Sequence, residues 1–105
     1  MNNKFLSMLG LSKRAGSLIT GTDLVTKALP SGKVKLVIYA QNSSPNTEKK
    51  ITDKCKFYGV ECIKASYTSD ELSHAVGKLS SVCALGVTDG NFSKELFSLI
   101  SKETR

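Results

Sequence analysis

Apolar positions along the chain follow two alternating patterns, which predict alternating helices and strands. Apolar residues spaced three or four apart predict a helix, and short continuous runs rich in β-branched residues predict a buried strand. The helical spacing predicts helices over residues 4–14, 21–29, 45–58 and 69–76, and from residue 92 onwards. The apolar runs predict strands over residues 17–20, 34–40, 60–65 and 82–87.

Polar residues mark where two of the helices start. Ser44 precedes Pro45, a pair typical of a helix with serine as the N-cap and proline in the first turn. Thr68 and Glu71 have the spacing of a capping box, in which each residue bonds the other's backbone N–H group. These boundaries therefore rest on hydrogen-bonding chemistry as well as on periodicity.

Two other helix starts carry weaker signals. Gly21 opens the second helix, and either Thr20 or Thr22 is a candidate cap for it. Residues 88–91, Thr-Asp-Gly-Asn, are predicted as a turn before the last helix.

The order of elements predicts the fold class. Helices and strands alternate throughout with short connections, which implies a parallel or mixed sheet covered by helices on both faces. We therefore expect residues 1–105 to form a single α/β domain, a three-layer α/β/α sandwich around a four-stranded mixed sheet. A chain of 105 residues has no room for a second core.

Composition excludes several classes of protein. No apolar run approaches the roughly 18 residues that a membrane-spanning helix requires. The first residues lack the apolar segment and cleavage site of a signal peptide. We therefore expect a cytoplasmic protein with no membrane partner.

Cysteine and histidine usage argues against a metal centre or a hydrolytic site. No C-x-x-C pair occurs among the three cysteines, Cys55, Cys62 and Cys83, and His74 is the sole histidine. Zinc sites and catalytic triads need paired or partnered ligands of these types. We predict that the cysteines are small buried side chains, that His74 has a structural or surface role, and that the protein is not an enzyme.

The segment from Gly16 to Gly21 has the glycine spacing of a phosphate-binding loop but lacks its chemistry. Thr22 and Asp23 follow, where a nucleotide-binding loop needs lysine and then serine or threonine. Without that lysine nothing reaches the outer phosphates, and Asp23 would repel them. We predict no cofactor and no small-molecule substrate.

The positive charge is concentrated in the first third of the chain. The net charge is +6; residues 1–35 contain six basic residues and one acidic residue, and residues 36–105 contain nine and eight. A basic segment on a small domain suggests a polyanionic partner, most often nucleic acid. The alternative is a solvated basic surface with no ligand.

The same basic segment contains the junction at Gly21. A helix start behind a glycine presents free N–H groups and a partial positive charge, which suit a phosphate. We expect the nearby cations to share one edge of the fold with this helix start; they are Lys13, Arg14, Lys27, Lys33 and Lys35. Alternatively, Gly21 is only a tight turn.

Five stretches of the chain resemble one known family. They are LGLSKRAG from residue 9, GTDLVTKAL from 21, GKVKLVIYA from 32, NTEKKITDKC from 46 and VTDGNF from 87. Together they resemble the kink-turn RNA-binding ribosomal-protein superfamily of the L7Ae and L30e type, and in particular its small bacterial YlxQ-like branch. That resemblance implies an α/β/α sandwich that binds sharply bent RNA.

The resemblance also assigns roles to individual residues. It implies that Gly21 lets the backbone approach the RNA, that the positions of Thr22, Asp23 and Leu24 bond guanine edges and backbone, and that Lys27 contacts phosphates. A loop starting near Lys78 would pack against a flipped-out base. The predicted RNA-binding set is Lys13, Arg14, Gly21, Thr22, Asp23, Lys27, Lys33 and Lys78.

One departure keeps a second function open. The family commonly reads guanine with an Asn-Glu pair, whereas this chain has Asp23 and Leu24. The first interpretation is a protein that binds structured ribosomal or regulatory RNA, with ribosomal or translation proteins as candidate further partners. The second is a protein-binding adaptor on the same fold.

Overall fold

Helices and strands alternate along the chain in the predicted order. The computed structural model describes residues 4–103. Its helices are α1 (Lys4–Arg14), α2 (Thr22–Ala28), α3 (Pro45–Tyr58), α4 (Ser69–Ala75) and α5 (Gly90–Glu103). Its strands are β1 (Leu18–Thr20), β2 (Leu36–Tyr39), β3 (Glu61–Lys64) and β4 (Ala84–Val87). No helix within this range is long and apolar enough to cross a lipid bilayer.

The four strands form one mixed sheet in the order β1-β4-β2-β3, which confirms the predicted fold class. β2 and β3 run parallel, whereas β4 runs antiparallel to both of its neighbours, β1 and β2. As a result β1, β2 and β3 all finish at the end of the sheet where β4 begins. We call this the Gly21 end, and the opposite one, where β1 begins, the Ser17 end.

Two hydrophobic clusters cover the two faces of the sheet. Side chains alternate between the faces along a strand, so in β2 Leu36 and Ile38 enter one cluster and Val37 and Tyr39 enter the other. The first cluster is completed by α1, α4 and α5, and the second by α2 and α3. Because helices lie on both faces, every residue of β2 and β4 is buried.

Both capping predictions based on local sequence are confirmed. The Ser44 side chain accepts a hydrogen bond from the N–H group of Thr47 at 3.2 Å, with Pro45 in the first turn of α3. Thr68 and Glu71 form both halves of a capping box at the start of α4. These boundaries were predictable because the donors and acceptors lie within three residues of each other.

Two other boundaries differ from the prediction. Neither Thr20 nor Thr22 caps α2; Gly21 occupies the N-cap position without any side-chain hydrogen bond. The predicted turn over residues 88–91 already contains the start of α5. The Asp89 carboxylate accepts from the N–H groups of Asn91 at 2.8 Å and Phe92 at 3.0 Å, so it begins the helix earlier than the apolar spacing indicated.

The prediction of buried cysteines is correct for one of three. Cys55 is buried on the inner side of α3, but Cys62 and Cys83 are half-buried. Cys62 lies on β3, which is an edge strand, and Cys83 lies in the loop before β4. Edge strands and loops leave side chains partly in contact with water, which sequence periodicity does not reveal. His74 is exposed in the last turn of α4.

A partly buried hydrogen bond joins the end of β2 to the first turn of α3. The Tyr39 hydroxyl donates to Glu48 Oε2 at 3.0 Å. Burial, reinforced by this bond and by the charge of Glu48, raises the pKa of Tyr39 to about 12. The protonated hydroxyl is therefore the form that stabilises the fold.

Replacing Tyr39 with phenylalanine should lower the free energy of unfolding by about 1–2 kcal/mol, because a charged acceptor loses its donor. A raised folded-state pKa contributes stability that is complete below pH 10 and is lost as the pH rises towards 12. Denaturant titrations should therefore show the wild-type advantage over Tyr39→Phe shrinking across that window. Tyr58→Phe, which changes an exposed ring, is the control. A stability difference between the wild type and Tyr39→Phe that does not change with pH would contradict the raised pKa of Tyr39.

Candidate nucleic-acid interface

The junction between β1 and α2 is a backbone structure that requires glycine. Gly21 has φ 105° and ψ 140°, a region that side chains make costly. Its N–H group donates to the Ala84 carbonyl at 2.9 Å, and its own carbonyl accepts from the N–H group of Val25 at 3.0 Å. Gly21 therefore ends the β1–β4 ladder and starts the helix at a single residue.

The first turn of α2 presents its amide groups to solvent. A helix start leaves its first N–H groups without intrahelical acceptors, and no described side chain caps this one. The Thr26 hydroxyl donates to the carbonyls of Thr22 and Asp23, at 2.9 and 3.1 Å, and makes no bond to their N–H groups. A Cβ added at Gly21 would meet nothing within 4 Å, so the approach to this turn is open.

Asp23 is the exposed acid of this first turn, and its neighbour is a lysine that the sequence did not indicate. Lys50 Nζ lies 3.7 Å from Asp23 Oδ1. A negative charge in the first turn also interacts favourably with the helix dipole and stabilises the helix, so part of the role of Asp23 is structural. Lys50 was missed because it belongs to α3 and reaches α2 only through their packing on the same face of the sheet.

The loop between α4 and β4 lies beside the start of α2. It leads into Ala84, whose carbonyl holds Gly21. The Lys78 N–H group donates to the Ser73 carbonyl at 2.9 Å, and the Leu79 side chain is fully exposed. The structure thus places Gly21, Thr22 and Asp23 at the Gly21 end, where the loop that contains Lys78 enters β4.

The remaining predicted cations lie elsewhere, and the expectation that they share one edge with the helix start is wrong. Lys13 and Arg14 end α1 before β1 begins. Lys33 precedes β2, and the adjacent Lys35 N–H group donates to the Val87 carbonyl at 2.7 Å. All of these positions are at the Ser17 end. The strand itself, at about 3.3 Å per residue, separates them from Gly21.

Lys27 occupies an intermediate position. It lies in the last turn of α2, four residues after Asp23, and residues with that spacing share a helix face. Its side chain is exposed. Lys27 therefore extends the Gly21 end along α2.

A pair of thiols and a cavity among the described residues lie away from the Gly21 end. Within residues 4–103 no three acidic, cysteine or histidine side chains are grouped as metal ligands would be. The free thiols of Cys55 and Cys62 are hydrogen-bonded to each other. This hydrogen bond, together with burial, raises the pKa of the Cys62 thiol. A cavity of about 510 Å³ between α1 and α5 is lined by residues such as Met8, Leu11 and Leu99.

Comparisons with known proteins agree on one relationship. The profile of the ribosomal protein L7Ae/L30e/S12e/Gadd45 family matches residues 3–97. The chain is 37% identical over 97 residues to the RNA-binding protein YlxQ of Bacillus subtilis, which covers 92% of this chain and 95% of that protein. It is 34% identical over 83 residues to the large ribosomal subunit protein eL30 of Spodoptera frugiperda, covering 79% and 74% of the two chains.

A solved structure supports the same relationship. A Bacillus halodurans protein of unknown function superposes with a TM-score of 0.88 at 39% sequence identity. The match covers 95% of this chain and 99% of that one.

Gly21→Ala should lower the free energy of unfolding by about 1–3 kcal/mol, because alanine is strained at a φ of 105°. Chemical denaturation measures this change. Gly90→Ala is the matched control: it lies at a helix start with open space around it and an ordinary φ, so stability should be unchanged or slightly higher. Equal effects at the two glycines would mean that Gly21 carries no conformational requirement.

Proposed function

Because the chain belongs to the ribosomal protein L7Ae/L30e/S12e/Gadd45 family, we propose that it is a non-enzymatic RNA-binding protein that holds structured, kink-turn-like RNA at its Gly21 end. The observation that carries this proposal is the open first turn of α2 behind Gly21, which is hydrogen-bonded to Ala84 at the end of the loop containing the exposed Leu79. Relatives named as RNA-binding and ribosomal proteins supply the class of ligand.

The chemistry of the Gly21 end suits a bent RNA. The free N–H groups of the first turn of α2 can donate to phosphate or base oxygens. Lys27, one turn further along α2, and Lys50, beside Asp23, can contact phosphates. Leu79 offers an apolar side chain to a base that has left the stack, which is how proteins commonly bind RNA loops and bulges.

Asp23 and Leu24 define how this chain would read such RNA. The Asp23 carboxylate can accept hydrogen bonds from guanine N–H groups, while Lys50 offsets part of its charge. Leu24 is 60% exposed and can only make apolar contacts through its side chain. We therefore propose recognition that depends more on the bent shape than on a pair of base-reading side chains.

The same two leucines favour a second candidate function, a protein-binding adaptor. Leu24 and Leu79 are exposed apolar side chains at one end of the molecule, and an apolar cluster is a common feature of protein interfaces. Ribosomal or translation proteins are the candidate partners, given the similarity to eL30. Pull-down with and without nuclease separates the two functions, because adaptor partners persist after RNA is removed.

A kink-turn duplex should bind more tightly than a straight duplex of the same length at both low and moderate salt. Both affinities should fall with salt, because phosphate contacts release counterions. Lys27→Ala should weaken kink-turn binding several-fold. Arg14→Ala removes a cation at the Ser17 end and is the matched control, with little change expected. Equal affinity for the two duplexes would defeat bend recognition.

Asp23→Asn should strengthen kink-turn binding by about five-fold, the effect of removing one exposed charge some 4 Å from a phosphate. Asparagine keeps an acceptor oxygen, so guanine contacts survive. Fluorescence anisotropy measures the change, and Asp53→Asn, an equal change of charge in the middle of α3, should leave the affinity unaltered. Weaker binding by Asp23→Asn would show that the carboxylate charge itself is required.

A further inference from the structure

Exposed cations gather at the Ser17 end, opposite the proposed kink-turn site. They are Lys13, Arg14, Lys33, Lys35 and Lys56, of which Lys13 is half-buried and the others are exposed. They come from the end of α1, the segment before β2 and the last turn of α3. This end therefore holds most of the excess charge that the first third of the chain contributes.

Carboxylates do not neutralise this cluster. The ion pairs of the described residues are Lys49–Asp53, Lys50–Asp23 and Lys64–Glu48, and none of them uses a cation of the Ser17 end. Two acids face this end. Glu61 begins β3, and Asp89 accepts from two N–H groups at the start of α5, so its charge already stabilises a helix.

Helix stability explains only part of the cluster. Lys13, Arg14 and Lys56 lie in the last turns of α1 and α3, where a positive charge interacts favourably with the helix dipole and stabilises the helix. Lys33 directly follows the short helical turn Leu29–Ser31 and its Gly32 cap, where a cation is also favoured. Lys35 lies in the extended segment just before β2, outside any helix, and its like charge repels the others. Its placement therefore points to a ligand rather than to folding.

Two exposed aromatic rings lie beside these lysines. Phe57 is 80% exposed, and its ring centroid is 4.9 Å from that of Tyr58 in an edge-to-face pair. The register pairs Leu36 with Glu61, so the turn after Tyr58 runs alongside the segment containing Lys35. Neighbouring parallel strands are about 4.8 Å apart, which makes the rings and the lysines parts of one surface.

We propose that the Ser17 end is a second RNA-binding surface, which takes a single-stranded segment of the RNA held at the Gly21 end. Cations that follow the phosphates and an aromatic ring that stacks on a base are the two features of such surfaces. The inference rests on the proposed function. The two surfaces lie at opposite ends of the sheet, so the RNA must bend around the edge of the molecule between them, and a flexible strand does this more easily than a rigid duplex.

The test compares a blunt kink-turn duplex with the same duplex carrying a uridine tail of about ten nucleotides, a length that one domain can cover. For the wild-type protein the tail should raise the affinity about ten-fold, the contribution of one stacked base with its phosphate contacts. Phe57→Leu should lose most of this advantage. The combined change Arg14→Gln, Lys33→Gln and Lys35→Gln should abolish it while leaving affinity for the blunt duplex within about two-fold.

A matched control removes the same number of charges elsewhere, by Lys4→Gln, Lys49→Gln and Lys64→Gln. Each variant serves as its own reference, since the measured quantity is the ratio of tailed to blunt affinity, and this control should keep the wild-type ratio. A wild-type ratio of one would overturn the proposal, as would a ratio that survives both Ser17-end variants or falls equally in the control. The proposal would also be overturned by a protein that stays bound after nuclease treatment and no longer binds the Phe57→Leu variant.

Failure of the proposed function would look different. Equal affinity for blunt kink-turn and blunt straight duplexes, with the tail effect intact on both, would leave the second surface standing and remove the kink-turn assignment. A kink-turn preference with no tail effect would do the reverse.

Discussion

The hydrogen bond from the Gly21 N–H group to the Ala84 carbonyl, at 2.9 Å, is the contact on which the candidate site depends. It is the last rung of the β1–β4 ladder and the point where α2 begins. The antiparallel pairing of β1 with β4 brings the start of α2 next to the α4–β4 loop, although the two are distant in sequence. Only glycine makes this junction without strain, because the chain must turn from strand to helix at φ 105°.

Local chemistry explains which parts of this structure the sequence could predict. Ser44 and the Thr68–Glu71 box act over three residues, so their helix starts were read correctly. The predicted start of α5 was too late because it was placed at the first apolar residue, whereas the Asp89 carboxylate accepts hydrogen bonds from the first turn and starts the helix before that residue. The positions of Lys13, Arg14 and Lys33 depend on strand direction and on the order β1-β4-β2-β3, neither of which local spacing contains.

That misplacement changes the physical picture of the molecule. The cations of the first third do not surround Gly21; most lie a strand length away. The Gly21 end instead combines free amides, a partly offset acid and exposed leucines, with acids such as Glu48 and Asp70 balancing its lysines. Phosphate contacts position a protein on nucleic acid, whereas contacts to bases and to shape specify the site. In the proposed function, the Gly21 end recognises the bent RNA and the Ser17 end adds contacts to its single-stranded segment.

The most direct measurement is an amide NMR titration of the protein with a blunt kink-turn duplex. The account predicts that the largest chemical-shift changes fall on Thr22, Asp23 and Leu24 and on the Lys78–Leu79 loop, with small changes at the Ser17 end. Shifts concentrated at the Ser17 end or in the groove between α1 and α5, with the first turn of α2 unchanged, would contradict it.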